Sequence, residues 1–253
     1  MSAVLKRVFG AAVIAAGMVV SSWMLSRMFV RVRQEQAITV KGYTERDVVS
    51  DVGKFTCAFT ARGTDLKGAY DRLQQSRRIV LAYLRERGFQ ENELASGTIT
   101  TAKIMRRNEQ GKETNEVEYH DASQNLTLSS TNVFLIRSVA TGITDLIQNG
   151  VDISANPPAF YLSDMKDLKL TLLADATRDG YRRAVALAEN SGGRVGALIS
   201  ANQGVFQITE RNSTDISGYG EYNTDTIEKT AKAIVTLEYE IERGAGRGPC
   251  GVR

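Results

Sequence analysis

TAKAIVTLEYEIE, residues 230–242, alternates apolar and polar side chains with a period of two. Ala231, Ala233, Val235, Leu237, Tyr239 and Ile241 fall on one side, and Lys232, Ile234, Thr236, Glu238 and Glu240 on the other. That period predicts a strand with one face in a core and the other in water. A strand of this kind needs sheet partners and a helical or second-sheet cover, and the upstream chain supplies candidates for both.

The cover comes from three helical stretches. Thr64 or Asp65 caps the first, whose apolar positions Leu66, Tyr70, Leu73, Val80 and Leu84 keep helical spacing until Gly88 and Phe89. The second runs from Asn132 with Val133, Ile136, Val139, Ala140, Ile143, Leu146 and Ile147 on one side, ending at Asn149 and Gly150. The third and longest, about Met165 to Ser191, has Ser163 or Asp164 as a cap and Gly192 and Gly193 as its stop. Within it Ala176, Gly180, Ala184 and Ala188 recur every four residues. Glycine in a helix interior costs about 1 kcal/mol relative to alanine, so this stripe implies that something bulky packs very close. Two candidates stay open: the protein's own sheet or neighbouring helix, and a subunit interface through these four residues.

Further strands are expected at Ala37–Lys41, ending at Gly42, and at Asp51–Arg62, where Phe55, Cys57, Phe59 and Ala61 share one face. Thr98–Met105 and Tyr119–Ser130 flank RRNEQGKETNEV, 106–117, which reads as a solvent-exposed hairpin loop. Asn156-Pro157-Pro158 signals a turn before a short strand, Ala159–Leu162, and Arg194–Thr209 resumes strand character with Gly204 as a candidate bulge. A polar loop, ERNSTDISGYGEYNTD, precedes the closing strand. The expected fold class is α+β: an antiparallel sheet packed against two to three amphipathic helices, preceded by one N-terminal transmembrane helix.

That last element is VFGAAVIAAGMVVSSWMLSRMFV, 8–30, preceded by Lys6 and Arg7 and free of charge until Arg27. A run of about 18 to 20 apolar residues is what a helix needs to cross hydrocarbon about 30 Å thick. Its bulky ending through Trp23, Met24, Leu25, Met28 and Phe29 differs from the small residues of a cleavage site, which favours an uncleaved signal anchor. Arg27, Arg31 and Arg33 on the far side weaken the positive-inside argument for exporting the C-terminal part. The expected organisation is a cytoplasmic N-terminus at 1–7, the anchor at 8–30, a linker at 31–36, one domain at 37–242 and a flexible tail at 243–253. Residues 1–36 hold five cations against Glu35, so +4 of the formal net charge of +3 resides there and the remainder carries −1. A near-neutral domain lacks the basic face of a nucleic-acid binder, and no nucleic-acid partner is expected.

The order of elements resembles that of the SIMPL domain family, also called DUF541. ITVKGYTERDVVSDVGKF at 38–55, ATRDGYRRAVALAENSGGRVG at 176–196 and AKAIVTLEYEIE at 231–242 carry the resemblance, which covers roughly residues 37–242. Family members commonly have a run of alanine where this helix has Thr177, Arg178, Asp179 and Gly180. The resemblance implies a bacterial envelope protein, here a membrane-anchored branch of the family: single-pass in the inner membrane through its N-terminal helix, with the C-terminal domain in the periplasm. It also implies a protein partner or homo-oligomer and a link to oxidative or envelope stress.

Catalytic chemistry finds little support. His120 is the one histidine in the chain; it lies in EYHDAS with no cysteine near in sequence and no G-x-S-x-G elbow, and a surface or half-buried structural role explains it. Asp121 beside it is a candidate charge partner. One histidine and two distant cysteines do not make a zinc cage, NTDTIE near Asp225 lacks the EF-hand spacing, and no phosphate-binding glycine loop is present. Catalytic, metal and cofactor-binding residues are therefore expected to be none. Cys57 reads as a buried small hydrophobe, with a disulfide to Cys250 open in an oxidising compartment. Glu238 and Glu240 share the wet face of the last strand, and the sequons at Asn125 and Asn212 are chance matches unless the chain enters a eukaryotic secretory pathway. Tyr219 and Tyr222 either pack into their turn or touch a partner. The functional expectation is a non-enzymatic envelope protein that binds partners or self-assembles. The alternative class is a ligand-binding carrier or an enzyme whose pocket forms only in the tertiary structure.

Overall fold

The computed structural model describes residues 16–24, 37–213 and 220–243. Residues 16–24, inside the expected anchor, form a helix (α1); the rest of 8–30 and the 243–253 tail beyond Arg243 lie outside the described residues. Among the described residues no helix is long and apolar enough to cross a membrane. From Ala37 the elements run β1 (Ala37–Val49), β2 (Val52–Gly63), α2 (Leu66–Glu86), β3 (Leu94–Arg107), β4 (Glu113–Ser130), α3 (Val133–Gly142), β5 (Asp152–Ala155), β6 (Ala159–Tyr161), α4 (Met165–Asn190), β7 (Gly193–Glu210) and β8 (Glu228–Arg243). The fold is α+β, as expected, but its strands divide between two sheets. One is three-stranded in the order β1-β8-β7; the other is five-stranded in the order β3-β4-β2-β5, with β6 also pairing β2.

The chain separates into two compact units. The larger holds Glu45–Lys169 and Phe206–Lys232. In it β2 and β4 pair antiparallel from Gly53↔Ser130 to Gly63↔His120. Phe55, Cys57, Phe59 and Ala61 do share the inner face and are buried with Ala122, Leu126 and Leu128 of β4. The cover is α2, through Ala69, Leu73, Val80 and Leu84, and α3, through Val133, Ile136 and Val139. Leu66 and Tyr70, expected on the core side of α2, are exposed, and Ala69 and Ser76 take the buried positions. Asp65 is the cap of α2, its carboxylate accepting the Gly68 N–H at 2.6 Å; Asn132 caps α3 through the Leu135 N–H at 3.1 Å. The second expected helix is shorter than its sequence period: α3 ends at Gly142 and a 3-10 turn, Ile143–Asn149, completes the stretch up to left-handed Gly150.

The polar excursion at 106–117 is mostly strand. β3 continues to Arg107 and β4 begins at Glu113, joined by a tight turn in which the Asn108 carboxamide accepts the N–H groups of Gln110 and Lys112 at 3.0 and 2.9 Å. β2 ends opposite His120, so β4 residues before it pair with β3 alone and both faces meet water. Cross-strand pairs Arg106–Glu116 (3.0 Å) and Arg107–Glu113 (3.5 Å) replace apolar contacts there. β5 pairs β2 from Cys57↔Ala155 to Thr60↔Asp152, a strand of four residues, too short to carry a periodic signal of its own.

The smaller unit holds the described residues up to Thr44, Leu170–Val205 and those from Ala233. Here β1 does not stop at Gly42. A side chain at Gly42 would collide with the Ala176 carbonyl and lie 2.7 Å from the Gly180 nitrogen, so glycine marks a close approach of α4 to the strand, not a break. A methyl on Gly180 would lie 2.7 Å from Leu237 Cδ1 and 3.3 Å from Gly42 Cα. Ala176, Gly180, Ala184 and Ala188 are all buried, and at Ala176 and Gly180 the close neighbours are Gly42 of β1 and Leu237 of β8. The Tyr43 N–H donates to the Asp179 carboxylate at 2.9 Å, and Arg183 pairs with Asp179 at 2.7 Å. The N–H bond from Tyr43, with Arg183 assisting, holds Asp179 below the usual carboxylate range. Gly204, the candidate bulge, lies within β7, where a side chain would meet the Ile234 carbonyl at 2.8 Å.

These contacts rank two substitutions. Gly180→Ala should gain about 1 kcal/mol of helix propensity but lose about 1–3 kcal/mol to overpacking against Leu237, a side chain that can shift. Gly42→Ala meets only backbone and should cost more, about 3 kcal/mol or above. Thermal denaturation of both variants checks the order; a Gly42→Ala protein as stable as the original would refute the close approach.

Candidate functional site

Within the larger unit an open cleft of about 420 Å³ is lined by Phe134 and Arg137 of α3, Phe160 of β6, Glu210 and Arg211 at the end of β7, and residues Asp225–Glu228 leading into β8. Phe134 is 55% exposed, and the Arg137 guanidinium lies over its ring at 5.2 Å. Arg211 bridges two carboxylates, Asp47 and Glu228, each at 3.2 Å. Asp47 also accepts the Thr230 hydroxyl at 2.9 Å. The segment 223–226 is tied by the Asn223 carboxamide oxygen, which accepts from the Asp225 N–H (3.1 Å), the Thr226 N–H (3.2 Å) and the Thr226 hydroxyl (3.0 Å).

The cation behind this wall is Lys229, which is fully buried. Its ammonium donates to the carbonyls of Phe160 and Asn223, both at 2.7 Å, and faces the Tyr222 ring at 5.9 Å. Tyr222 stacks on Tyr161 at 6.4 Å and accepts the Leu162 N–H at 3.2 Å, while Lys54 sits over Tyr161 at 5.7 Å. Phe160 is held at both ends of its peptide unit, since its N–H donates to Thr224 at 2.7 Å. Burial pushes the Lys229 ammonium down to about 8, with the Asp225 carboxylate opposing that fall. An amine engaged by two carbonyls and closed from solvent positions the 220–226 segment; it is not exposed to react.

Lys229 is legible in the sequence as one more inward step of the closing strand's period, because 229 shares parity with Ala231, Ala233, Val235 and Leu237. Lys232, expected on the wet face, is also buried, and its ammonium reaches the Ser213 carbonyl. Tyr222 stacks on Tyr161 of β6 and remains 39% exposed; Tyr219 lies outside the described residues. His120 lies on β4 opposite Gly63 and Lys103, with no hydrogen-bond partner at its buried Nδ1. Asp121 pairs with Arg62 at 3.3 Å, and Arg62 also covers the Tyr119 ring at 4.9 Å. A second cleft of about 490 Å³ lies nearby on β2, α2 and β5, with Arg62, Arg72, Gln75, Asn149 and Asp152 in its lining; the Arg72 guanidinium is turned to the Arg62 carbonyl at 2.8 Å.

Cys57 is a buried free thiol whose Sγ lies 3.8 Å from the Leu126 carbonyl, and burial pushes it up to about 11, far from thiolate reactivity. Cys250 lies outside the described residues. Among the described residues no group of three or more metal-ligating side chains is assembled.

A family model described as "SIMPL: Protein of unknown function (DUF541)" matches residues 38–239, most of the chain. No curated protein matches.

Lys229 generates a pH signature. Its folded value near 8 lies below the ordinary 10.5, so between these limits the unfolded chain binds a proton that the folded chain does not, and stability rises with pH across that window. The rise attributable to this group is at most about 3 kcal/mol. Lys229→Met should remove it and, by leaving two buried carbonyls unpaired, lower stability at pH 7 by about 1–3 kcal/mol. Urea denaturation of both proteins at pH 7 to 10 reads the difference, and parallel curves would show that Lys229 is not the titrating group.

Proposed function

The chain belongs to the SIMPL family, and from that premise we propose that it is a non-enzymatic envelope protein that acts by binding partners or by self-assembly. The observation that supports this reading is on β7, where residues 197–204 are eight consecutive exposed positions in a strand, with Leu198 and Ile199 among them. A solvated strand is ordinarily short or charged, and an exposed, uncharged stretch at the end of a sheet is suited to contact with another chain. Three cations at or behind the clefts support the same reading: Arg211 and Arg62 pair with carboxylates of the chain, and buried Lys229 with two of its carbonyls, so each has a structural role.

In this proposal the apolar run 8–30 tethers the domain to a bacterial inner membrane and the domain works in the periplasm, in envelope or oxidative stress defence. The full chain purified in detergent should show a mass above one copy, or a stoichiometric co-purifying protein, at micromolar concentration. A strictly monomeric, unaccompanied species would overturn the assembly and binding reading. A reporter fused after Arg253 should be active only if it functions outside the cytoplasm, and activity confined to a cytoplasmic reporter would overturn the orientation.

A further inference from the structure

The strands that end the two sheets are not alike. β1 carries Lys41, Glu45, Arg46 and Asp47; β3 carries Lys103, Arg106 and Arg107 and breaks register with β4 at three places; β5 has four residues. Charge, irregular pairing and brevity are the usual means by which an edge strand avoids pairing with another chain. β7 has neither charge nor proline from Val195 to Val205. At Ile208 the protein covers the strand itself: the Ile208 N–H donates to Glu221 at 2.7 Å and the Asn223 N–H donates to Ile208 at 2.8 Å. Upstream of that segment, among the described residues, β8 is the only strand beside β7, and Leu198 and Ile199 are 51% and 45% exposed.

We propose that residues 193–205 of β7 pair antiparallel with the same residues of a second copy, about a two-fold axis near Ile199, so that two three-stranded sheets become one. This inference rests on the self-assembly reading and names its contact. The choice of a second copy over a different partner comes from charge. A two-fold axis sets residues near it against their own symmetry mates, so any charge close to the axis meets its like, which destabilises an antiparallel pair. β1 and β3 would incur that repulsion, whereas β7 offers an electrically neutral run of 11 residues, Val195–Val205, around Ile199. A foreign strand is selected by side-chain pockets or by complementary charges, and this stretch supplies no charge for that selection. The central position also comes from the part of the strand left open, since Ile199 is the midpoint of 193–205 and residues beyond Phe206 are already engaged by 221–223.

The test uses the full chain in detergent, with light scattering during size exclusion over a concentration series and circular dichroism to verify folding. Ile199→Lys and Ile199→Glu each place like charges together at the axis and should raise the concentration for half-dissociation by about tenfold or more. An equimolar mixture of the two variants should restore the original association, because Lys then meets Glu. If the original chain associates but neither variant differs from it, or if each variant is weakened and the mixture is not rescued, the β7 contact is wrong while self-assembly stands. If the original chain is monomeric throughout, both fail.

Discussion

The approach of helix α4 to strand β1 at Gly180 and Gly42 is the contact on which the smaller unit depends. It places backbone against backbone, with no side chain between, and so fixes the spacing of the helix over β1 and β8 more narrowly than interdigitating side chains do. Glycine in mid-helix is unfavourable by about 1 kcal/mol, a cost that is offset only if the gap it creates is filled. Leu237 fills it, and Ala176, Ala184 and Ala188 extend the same shallow groove along the helix. The Tyr43 N–H to Asp179 bond, with Arg183 on the same carboxylate, then fixes the helix along its length as well as its height. The Asp179 carboxylate thus adds a polar latch to a contact that small residues alone would leave free to slide.

The larger unit solves a different problem, which is how to hold a long connection between β7 and β8 without much apolar surface. Its answer is a buried cation. Lys229 is costly to desolvate, and its lowered proton affinity expresses that cost, yet two carbonyls and an aromatic face meet the ammonium where a hydrophobic residue would leave those carbonyls unpaired. Lys232 repeats the device toward Ser213. Both lysines act through main-chain oxygens, so they recognise the path of the loop and not its side chains. That path forms one wall of the Phe134–Arg137 cleft, whose shape is thereby coupled to a buried charge outside its own lining.

Sequence reading succeeds where one face is dry and the other wet. Phe55, Cys57, Phe59 and Ala61 fall on one face because β2 is half covered, and the Asp65 and Asn132 caps are visible because capping depends on local chemistry alone. It fails where that asymmetry disappears. The β3–β4 ribbon beyond His120 is wet on both faces and reads as a loop; β8 around Lys229–Ala233 is covered on both, so the period assigns Lys232 to solvent although it is buried. Gly42 reads as punctuation because the reason for it, the Ala176 carbonyl, lies more than a hundred residues away in sequence. The stripe at 176–188 does announce a close neighbour, but spacing cannot say whether that neighbour belongs to the same chain. Among candidate site residues, Lys229 has the right parity to be noticed and escapes notice because a lysine at a strand start is ordinarily solvated.

The two ends of β7 bear on how function and stability are divided in this fold. Gln207, Ile208 and Thr209 are buried and their edge is closed by 221–223, so that end contributes to the larger unit's packing. Residues 197–204 are exposed throughout, with Leu198 and Ile199 only about half covered, and they contribute less of the apolar area that stabilises a domain, at about 25 cal/mol per Å². The run is uncharged but mixed: Leu198 and Ile199 are apolar, Ser200, Asn202 and Gln203 are polar, and the Ser200 hydroxyl donates to the Glu238 carboxylate of β8 at 2.9 Å. Charged residues would be tolerated there at little cost to the core, as they are on β3. The absence of charge, and not of polarity, is the feature of this stretch on which the proposed pairing with a second copy rests.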